Sequence, residues 1–260
     1  MGENDLNGFC PQIAAEYLMT YIGQNGTWTP AHIDHCGAIG HNIMVSADNG
    51  SSIWFSISVN NMDSFEELCR SIGREPQFEN YFLSVDELAL ADFPVYVTEQ
   101  KTGDIILIPS LSYHQVVNLG AATIKVAWNR RTTSYIKLAV DTVLPRYTAI
   151  NNPEVFRIKS VIKYTLEAWT ILLVENTKNT AVSKEAFCCS FKELVLLFKR
   201  VVEEDWIDID NLKNEKWANM DSQPLAFHAP DRSNNTASVT CDFCKTDIFK
   251  PTTFALDALP

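Results

Sequence analysis

Thr29-Pro30-Ala31-His32-Ile33-Asp34 is the stretch on which the reading of this chain turns, and its counterpart is His114, 82 residues downstream. His32 and Asp34 are two positions apart, so on a β-strand or its extended end both side chains point to one face. His114 closes Gly103-Asp104-Ile105-Ile106-Leu107-Ile108-Pro109-Ser110-Leu111-Ser112-Tyr113-His114, which reads as a turn, an apolar strand, a proline break and a polar tip. Two imidazoles and one carboxylate on one side of a metal form a facial triad that leaves positions open, the arrangement of non-haem Fe(II) sites. His32, Asp34 and His114 are therefore the candidate metal ligands and catalytic set. Singly each has an ordinary reading: a surface or capping histidine, a turn aspartate, a histidine bonded to a main-chain carbonyl. Their joint occurrence, with strand-like sequence between them, is what points to a metal.

Outward from this stretch the chain is dominated by short strands. Residues 10–24 read as a short helical entry followed by a strand, and Gln24-Asn25-Gly26 as a turn. His41–Ser46 and Ile53–Val59 are strand candidates joined by Ala47-Asp48-Asn49-Gly50-Ser51-Ser52, which has the look of a hairpin connection. Asp63–Gly73 is helical, with Phe65, Leu68, Cys69 and Ile72 on one face, Gly73 as its stop, and Asn61 or Asp63 as its cap. Ser84–Ala91 carries the Ser84-x-x-Glu87 capping-box pattern. Val95–Gln100, Asp104–Pro109, Gln115–Asn118 and Thr123–Asn129 are four further strands. So many short strands, with helices inserted between them, predict a mainly β fold with α: an antiparallel double sheet of jelly-roll type.

After Pro145 the period changes. Pro153–Glu175 and Ser183–Asp205 both repeat apolar residues at three- and four-residue steps, with Asn176–Thr180 as the turn of an αα-hairpin. From Asn219 onward Asp, Ser, Asn, Thr and Pro prevail, as in a linker. The expected organisation is a catalytic β domain over 1–145, a helical hairpin packing on it over 146–218, and a linker with a tail over 219–260. Cys241-Asp242-Phe243-Cys244 in that tail is half of a zinc knuckle, and no Cys or His follows Cys244 to complete it.

Composition narrows the function. With 46% hydrophobic and 20% charged residues the chain can bury a real core. No apolar run reaches the length of a membrane span, and the N-terminus lacks the basic and apolar regions of a secretory signal. Leu6 stands where a myristoylation motif needs Ser or Thr. Seven cysteines without a framework spacing read as reduced thiols of an intracellular protein. The net charge of −11 argues against strong direct nucleic-acid binding and is compatible with a basic peptide as substrate.

A co-substrate such as 2-oxoglutarate, chelating the metal through one carboxylate and its keto oxygen, needs hydrogen-bond donors or a cation for its far carboxylate. Asn42 opens a strand ten residues after His32. On the last strand Thr123, Lys125, Ala127 and Asn129 share one face, and a lysine inside an apolar strand needs a partner that a dicarboxylate would supply.

Taken together, Thr29-Pro30-Ala31-His32-Ile33-Asp34, Gly40-His41-Asn42, Ile53-Trp54-Phe55, the Gly103–His114 segment and Trp128-Asn129-Arg130 resemble the Jumonji C (JmjC) domain, in particular fungal proteins related to histone lysine demethylases. The likeness covers roughly residues 15–135. It implies a double-stranded β-helix of cupin type, Fe(II) and 2-oxoglutarate, and hydroxylation of C–H bonds. In the demethylases it implies loss of a hydroxylated N-methyl group as formaldehyde, with a methylated lysine on a histone tail or other basic peptide as substrate, chromatin as partner and the nucleus as location. Matched residue by residue, His32, Asp34 and His114 are the metal ligands, Thr29 a hydroxyl donor, Asn42 a co-substrate contact and Asn129 an asparagine supporting the site from the final strand. The family usually carries a co-substrate lysine just before the Trp-Phe strand, where this chain reads Gly50-Ser51-Ser52-Ile53-Trp54. Lys125 is the expected substitute. The likeness also implies a fuller zinc finger after Cys244, so the chain reads as shortened at both ends; alternatives on the same scaffold are a side-chain hydroxylase and a non-catalytic chromatin-binding module.

Overall fold

The computed structural model describes Leu6 and residues 18–150, 157–175, 184–215, 239–240 and 247–248. Two compact units divide the chain, residues 1–146 and 147–260. The first is built on eight strands: β1 (Met19–Gly23), β2 (Trp28–His32), β3 (Ile39–Asp48), β4 (Ser51–Ile57), β5 (Val95–Gln100), β6 (Ile105–Ile108), β7 (Tyr113–Leu119) and β8 (Ala122–Arg130). They form two four-stranded antiparallel sheets, ordered β1-β8-β3-β6 and β2-β7-β4-β5. This is the mainly β, jelly-roll architecture that the spacing of short strands predicts.

The hairpin expected across Asn49-Gly50 does not form. β3 pairs with β8 and β6, β4 with β7 and β5, so the chain changes sheets at Asn49-Gly50. An Asn-Gly turn supplies the positive φ that a tight reversal needs, and Asn49 has φ 46°. Which strands then pair is decided by burial. Both strands carry inward-facing apolar residues, Met44 on β3 and Trp54 on β4, and crossing between sheets lets the two face each other's sheet rather than lie side by side. Along β8 Thr123, Lys125, Ala127 and Asn129 are buried and alternate with half-buried residues, the two-residue period of a strand with one face inward. Trp54, Ile108 and Val116 form a core cluster between the sheets, with Ile106 against it.

Helix α1 (Met62–Ser71) buries Met62, Phe65 and Cys69, the face expected from sequence. Asn61 is its N-cap residue but its side chain makes no capping bond. Helix α2 is a single turn, Val85–Leu88, with a complete capping box between Ser84 and Glu87. Helix α3 (Thr133–Ala149) has no counterpart among the expected elements and carries Pro145 inside it. Pro145 withholds one helical N–H; beside it Arg146 Nη1 donates to the Thr142 carbonyl at 3.0 Å.

In the second unit α4 (Ile158–Glu175) and α5 (Lys184–Glu215) pack together, with the Trp169 and Phe187 rings 5.0 Å apart. Helix α5 runs ten residues past the expected end at Asp205. Two-residue strands β9 (Val239–Thr240) and β10 (Asp247–Ile248) pair antiparallel. The helical entry over 10–17, the start of the first hairpin helix at 153–156, the turn at Asn176–Thr180, and the linker with Cys241 and Cys244 lie outside the described residues. Among the described residues no helix is long and apolar enough to cross a membrane.

Candidate metal centre and co-substrate pocket

Strand β2 begins as a regular ladder with β7, Trp28 opposite Val117 and Thr29 opposite Val116, and then slips. Pro30 has no N–H to give, which makes it a natural place for the irregularity. After the slip His32 stands directly opposite His114. Their ring centroids are 4.1 Å apart. The strand ends at His32, and Asp34 follows in extended backbone (φ −55°, ψ 135°) before a 3-10 turn at His35–Gly37. That turn needs left-handed backbone at Cys36 and Gly37, and Ser110 Oγ donates to the Gly37 carbonyl, tying it to the loop that precedes His114. Gly40 leaves the space for Asp34: a Cβ there would overlap Asp34 Oδ2 and press on Ile108.

The protonation pattern is set by the main chain. His32 Nδ1 lies 2.8 Å from the Pro30 carbonyl, and His114 Nδ1 lies 3.1 Å from the Ser112 carbonyl. A carbonyl only accepts, so Nδ1 carries the proton in both rings and each Nε2 keeps its lone pair for a ligand role. Burial lowers the pKa of His32 to about 4, with His114 adding to the effect, and burial lowers His114 to about 4. Both rings are thus neutral, as metal binding requires. Burial raises the Asp34 carboxyl above its usual range, and a hydrogen bond from the Asn129 side chain works against that rise. Asp34 Oδ2 is buried without a hydrogen-bond partner. One ligand atom from each of His32, Asp34 and His114 lies within 4.8 Å of the others. A buried carboxylate oxygen with no donor, facing two imidazole lone pairs, is a site that a divalent cation completes.

The adjoining cavity is lined by Thr29, Asn42, Lys125 and Asn129 as well as by the three candidate ligands. All seven residues singled out from the sequence therefore meet in one place. Lys125 is 4% exposed. Its ammonium donates to Asn118 Oδ1 at 2.7 Å and to Ser52 Oγ at 3.0 Å, and burial lowers its pKa to about 8. Ser52 Oγ in turn donates to Asn118 Oδ1 at 2.8 Å. Two of the three ammonium protons are thereby spoken for, and the third is left for the cavity. Ser52 is in the segment before the Trp-Phe strand where a lysine was expected, so Lys125 brings its charge to that same corner from β8.

Several contributors were not read from sequence. Ser52 and Asn118 seat the Lys125 head, and Met19 and Tyr21 on β1 close the cavity. Trp54 stacks near-parallel on His114, with centroids 5.8 Å apart. Burial, and then the charge of Asp34, pushes the Glu79 carboxyl up to about 7. His41 stacks on Trp128 at 5.1 Å and borders the cavity. Ser52, Asn118, Met19, Tyr21 and Glu79 have no local signature, whereas His41, Trp54 and Trp128 stand in motifs legible in the sequence, His41 and Trp128 meeting as partners in the β3–β8 ladder.

A closed double sheet holding His-x-Asp and a return histidine between its layers defines a cupin-type oxygenase scaffold. Residues 19–130 match the family model described as "JmjC domain, hydroxylase", and the chain carries a JmjC domain there. The family generally uses Fe(II) and 2-oxoglutarate. The chain is similar to "C-module-binding factor A" of Dictyostelium discoideum, 33% identical over 240 residues, which are 90% of this chain and 24% of that protein. It is also similar to "Lysine-specific demethylase jmjd-3.1" of Caenorhabditis elegans, 25% identical over 126 residues, 48% of this chain and 12% of that protein. The chain thus spans a quarter or less of the length of these relatives.

Proposed function

We propose that this chain is an Fe(II)- and 2-oxoglutarate-dependent dioxygenase that removes methyl groups from lysine by N-methyl hydroxylation, acting on a histone tail or similar basic peptide in chromatin, in the nucleus. The observation that carries the reading is the unpartnered, buried Asp34 Oδ2 beside two imidazoles whose Nδ1–H groups are tied down, all next to a cavity holding a buried lysine. His32, Asp34 and His114 would hold the metal. Lys125, Asn42 and Thr29 supply donors for a dicarboxylate, and Asn129 holds Asp34. With metal and co-substrate bound, the site supplies oxidising chemistry that leaves succinate and carbon dioxide as co-products. The walls formed by Trp54, Ile108 and Val116 keep water from the reacting centre. A net charge of −11 suits a basic peptide partner.

The test is incubation with Fe(II), 2-oxoglutarate, ascorbate and methyl-lysine histone peptides, following formaldehyde and succinate together. Equimolar formaldehyde and succinate with a trimethylated or dimethylated peptide supports demethylation. The family description as a hydroxylase favours a second reading, oxidation of a protein side chain to a stable product. In that case a peptide gains one oxygen atom and no formaldehyde appears. Failure of folded, Fe(II)-supplemented protein to show the visible charge-transfer band with 2-oxoglutarate under anaerobic conditions would sink both readings and leave a non-catalytic chromatin-binding module.

A further inference from the structure

Gln100 ends β5 in one sheet, yet its side chain is wholly buried and reaches β3 in the other. Trp54 Nε1 donates to Gln100 Oε1 at 2.9 Å. Gln100 Nε2 donates to the Asn42 carbonyl at 3.1 Å, to Asn42 Oδ1 at 3.1 Å and to the Asp104 carbonyl at 3.3 Å. The direction of this chain of bonds is forced. An indole N–H only donates and main-chain carbonyls only accept, so the Gln100 carboxamide fits in one orientation. That orientation presents a donor to Asn42, which must answer with Oδ1 and turn Nδ2 away. Asn42 is 6% exposed and borders the co-substrate cavity, and no hydrogen bond to a described residue engages its Nδ2.

We infer that Gln100 is a positioning residue that fixes the Asn42 carboxamide with its N–H donors toward the cavity, so that the pocket offers a donor and not an acceptor to an anionic co-substrate. This rests on the proposed use of 2-oxoglutarate. The consequence is selectivity by charge sign. With Lys125 and Thr29, a fixed Asn42 donor makes the cavity complementary to carboxylates, whereas a reversed amide would set an oxygen lone pair against them. Gln100 does not itself line the cavity; it accepts from Trp54, which does and which stacks on His114, and it sets the polarity of the pocket through Asn42.

The experiment measures 2-oxoglutarate affinity of the Mn(II)-loaded full chain by calorimetry, beside Mn(II) affinity itself. Gln100→Glu places a carboxylate against three acceptor oxygens and favours reversal of Asn42. The expected result is a loss of about tenfold to hundredfold in 2-oxoglutarate affinity, with Mn(II) affinity unchanged. In an Asn42→Ala background Gln100→Glu should cause no further loss, because its route is gone; equal losses in both backgrounds would show a merely structural role and overturn the inference. Should Gln100→Glu not fold, Asn42→Asp keeps the acceptor toward Gln100 and puts an oxygen in the cavity, and it should weaken 2-oxoglutarate at least as much as Asn42→Ala does. A milder effect than alanine overturns the inference. Should wild type bind no 2-oxoglutarate, the proposed function fails on its own. Side-chain amide exchange in the metal-free protein then decides: slow Gln100 and fast Asn42 carboxamide protons support the fixed orientation, and the reverse refutes it.

Discussion

His32 and His114 face each other across β2 and β7 because the ladder slips between Thr29 and His32. That slip converts two strands of a sheet into two halves of a metal site. Their Nδ1 atoms are held by the Pro30 carbonyl on β2 and the Ser112 carbonyl just before β7, so ring orientation is fixed before any ion arrives.

This arrangement makes the metal-free protein acid-sensitive. Both rings have pKa values near 4 when folded against 6.5 in a free chain, so between these values the unfolded chain binds more protons. Stability is fully present above about pH 6.5 and is lost as pH falls toward about 4, by a few kcal/mol in total. Urea titrations at stepped pH should show this, and His114→Gln should flatten the acid limb.

Gly40 should be intolerant of a side chain for a reason of chemistry as well as of packing. Gly40→Ala forces Asp34 Oδ2 aside. Mn(II) affinity is expected to fall about tenfold or more, as when the support of a ligand is disturbed. An unaltered calorimetric isotherm would contradict the place assigned to Asp34.

Lys125→Met should separate stability from binding. The ammonium is buried at a cost that lowers its pKa to about 8, while Asn118 Oδ1 keeps bonds from Ser52 and Thr123 after the change. Thermal stability should hold or rise, and 2-oxoglutarate affinity should drop about tenfold to hundredfold. In the wild type, affinity should decline as pH rises above about 8, where the empty site loses the proton of Lys125; binding there takes up a proton, visible as a buffer-dependent heat. The Met variant should lack this dependence.

Behind His114 a second network gives a contrast between buried and exposed charge. Glu66 is 4% exposed and accepts from Tyr113 Oη at 3.0 Å and Arg146 Nε at 2.9 Å, while Arg146 Nη2 also reaches exposed Asp63 at 2.9 Å. Arg146→Met leaves Glu66 with Tyr113 and with Arg70, whose Nη2 lies 3.1 Å away, and should cost about 1–3 kcal/mol in urea unfolding. Asp63→Ala, at an exposed pair, should cost under about 1 kcal/mol.

The sequence by itself determined the mainly β, double-sheet class of fold, seven of its strand segments, helix α1, the capping box at Ser84 and the list of polar residues that meet in the cavity. Each is a local matter: a two-residue period, a 3.6-residue period, a hydroxyl three residues before a carboxylate, and motifs a few residues long. Tertiary structure alone decided which strands pair. Asn49-Gly50 is as good a signal for a hairpin as for a change of sheet, and only burial of Met44 and Trp54 between the two layers separates the cases. Helix α3 escaped notice because Pro145 interrupts the reading while Arg146 bonds a neighbouring carbonyl from a side chain. Likewise Ser52 and Asn118 hold the Lys125 ammonium, and Gln100 reaches Asn42, across 58 to 73 residues of chain or by a strand-to-strand turn. Contacts of that kind follow from closing two sheets on one another, and neither a strand period nor a helix period along the chain signals them.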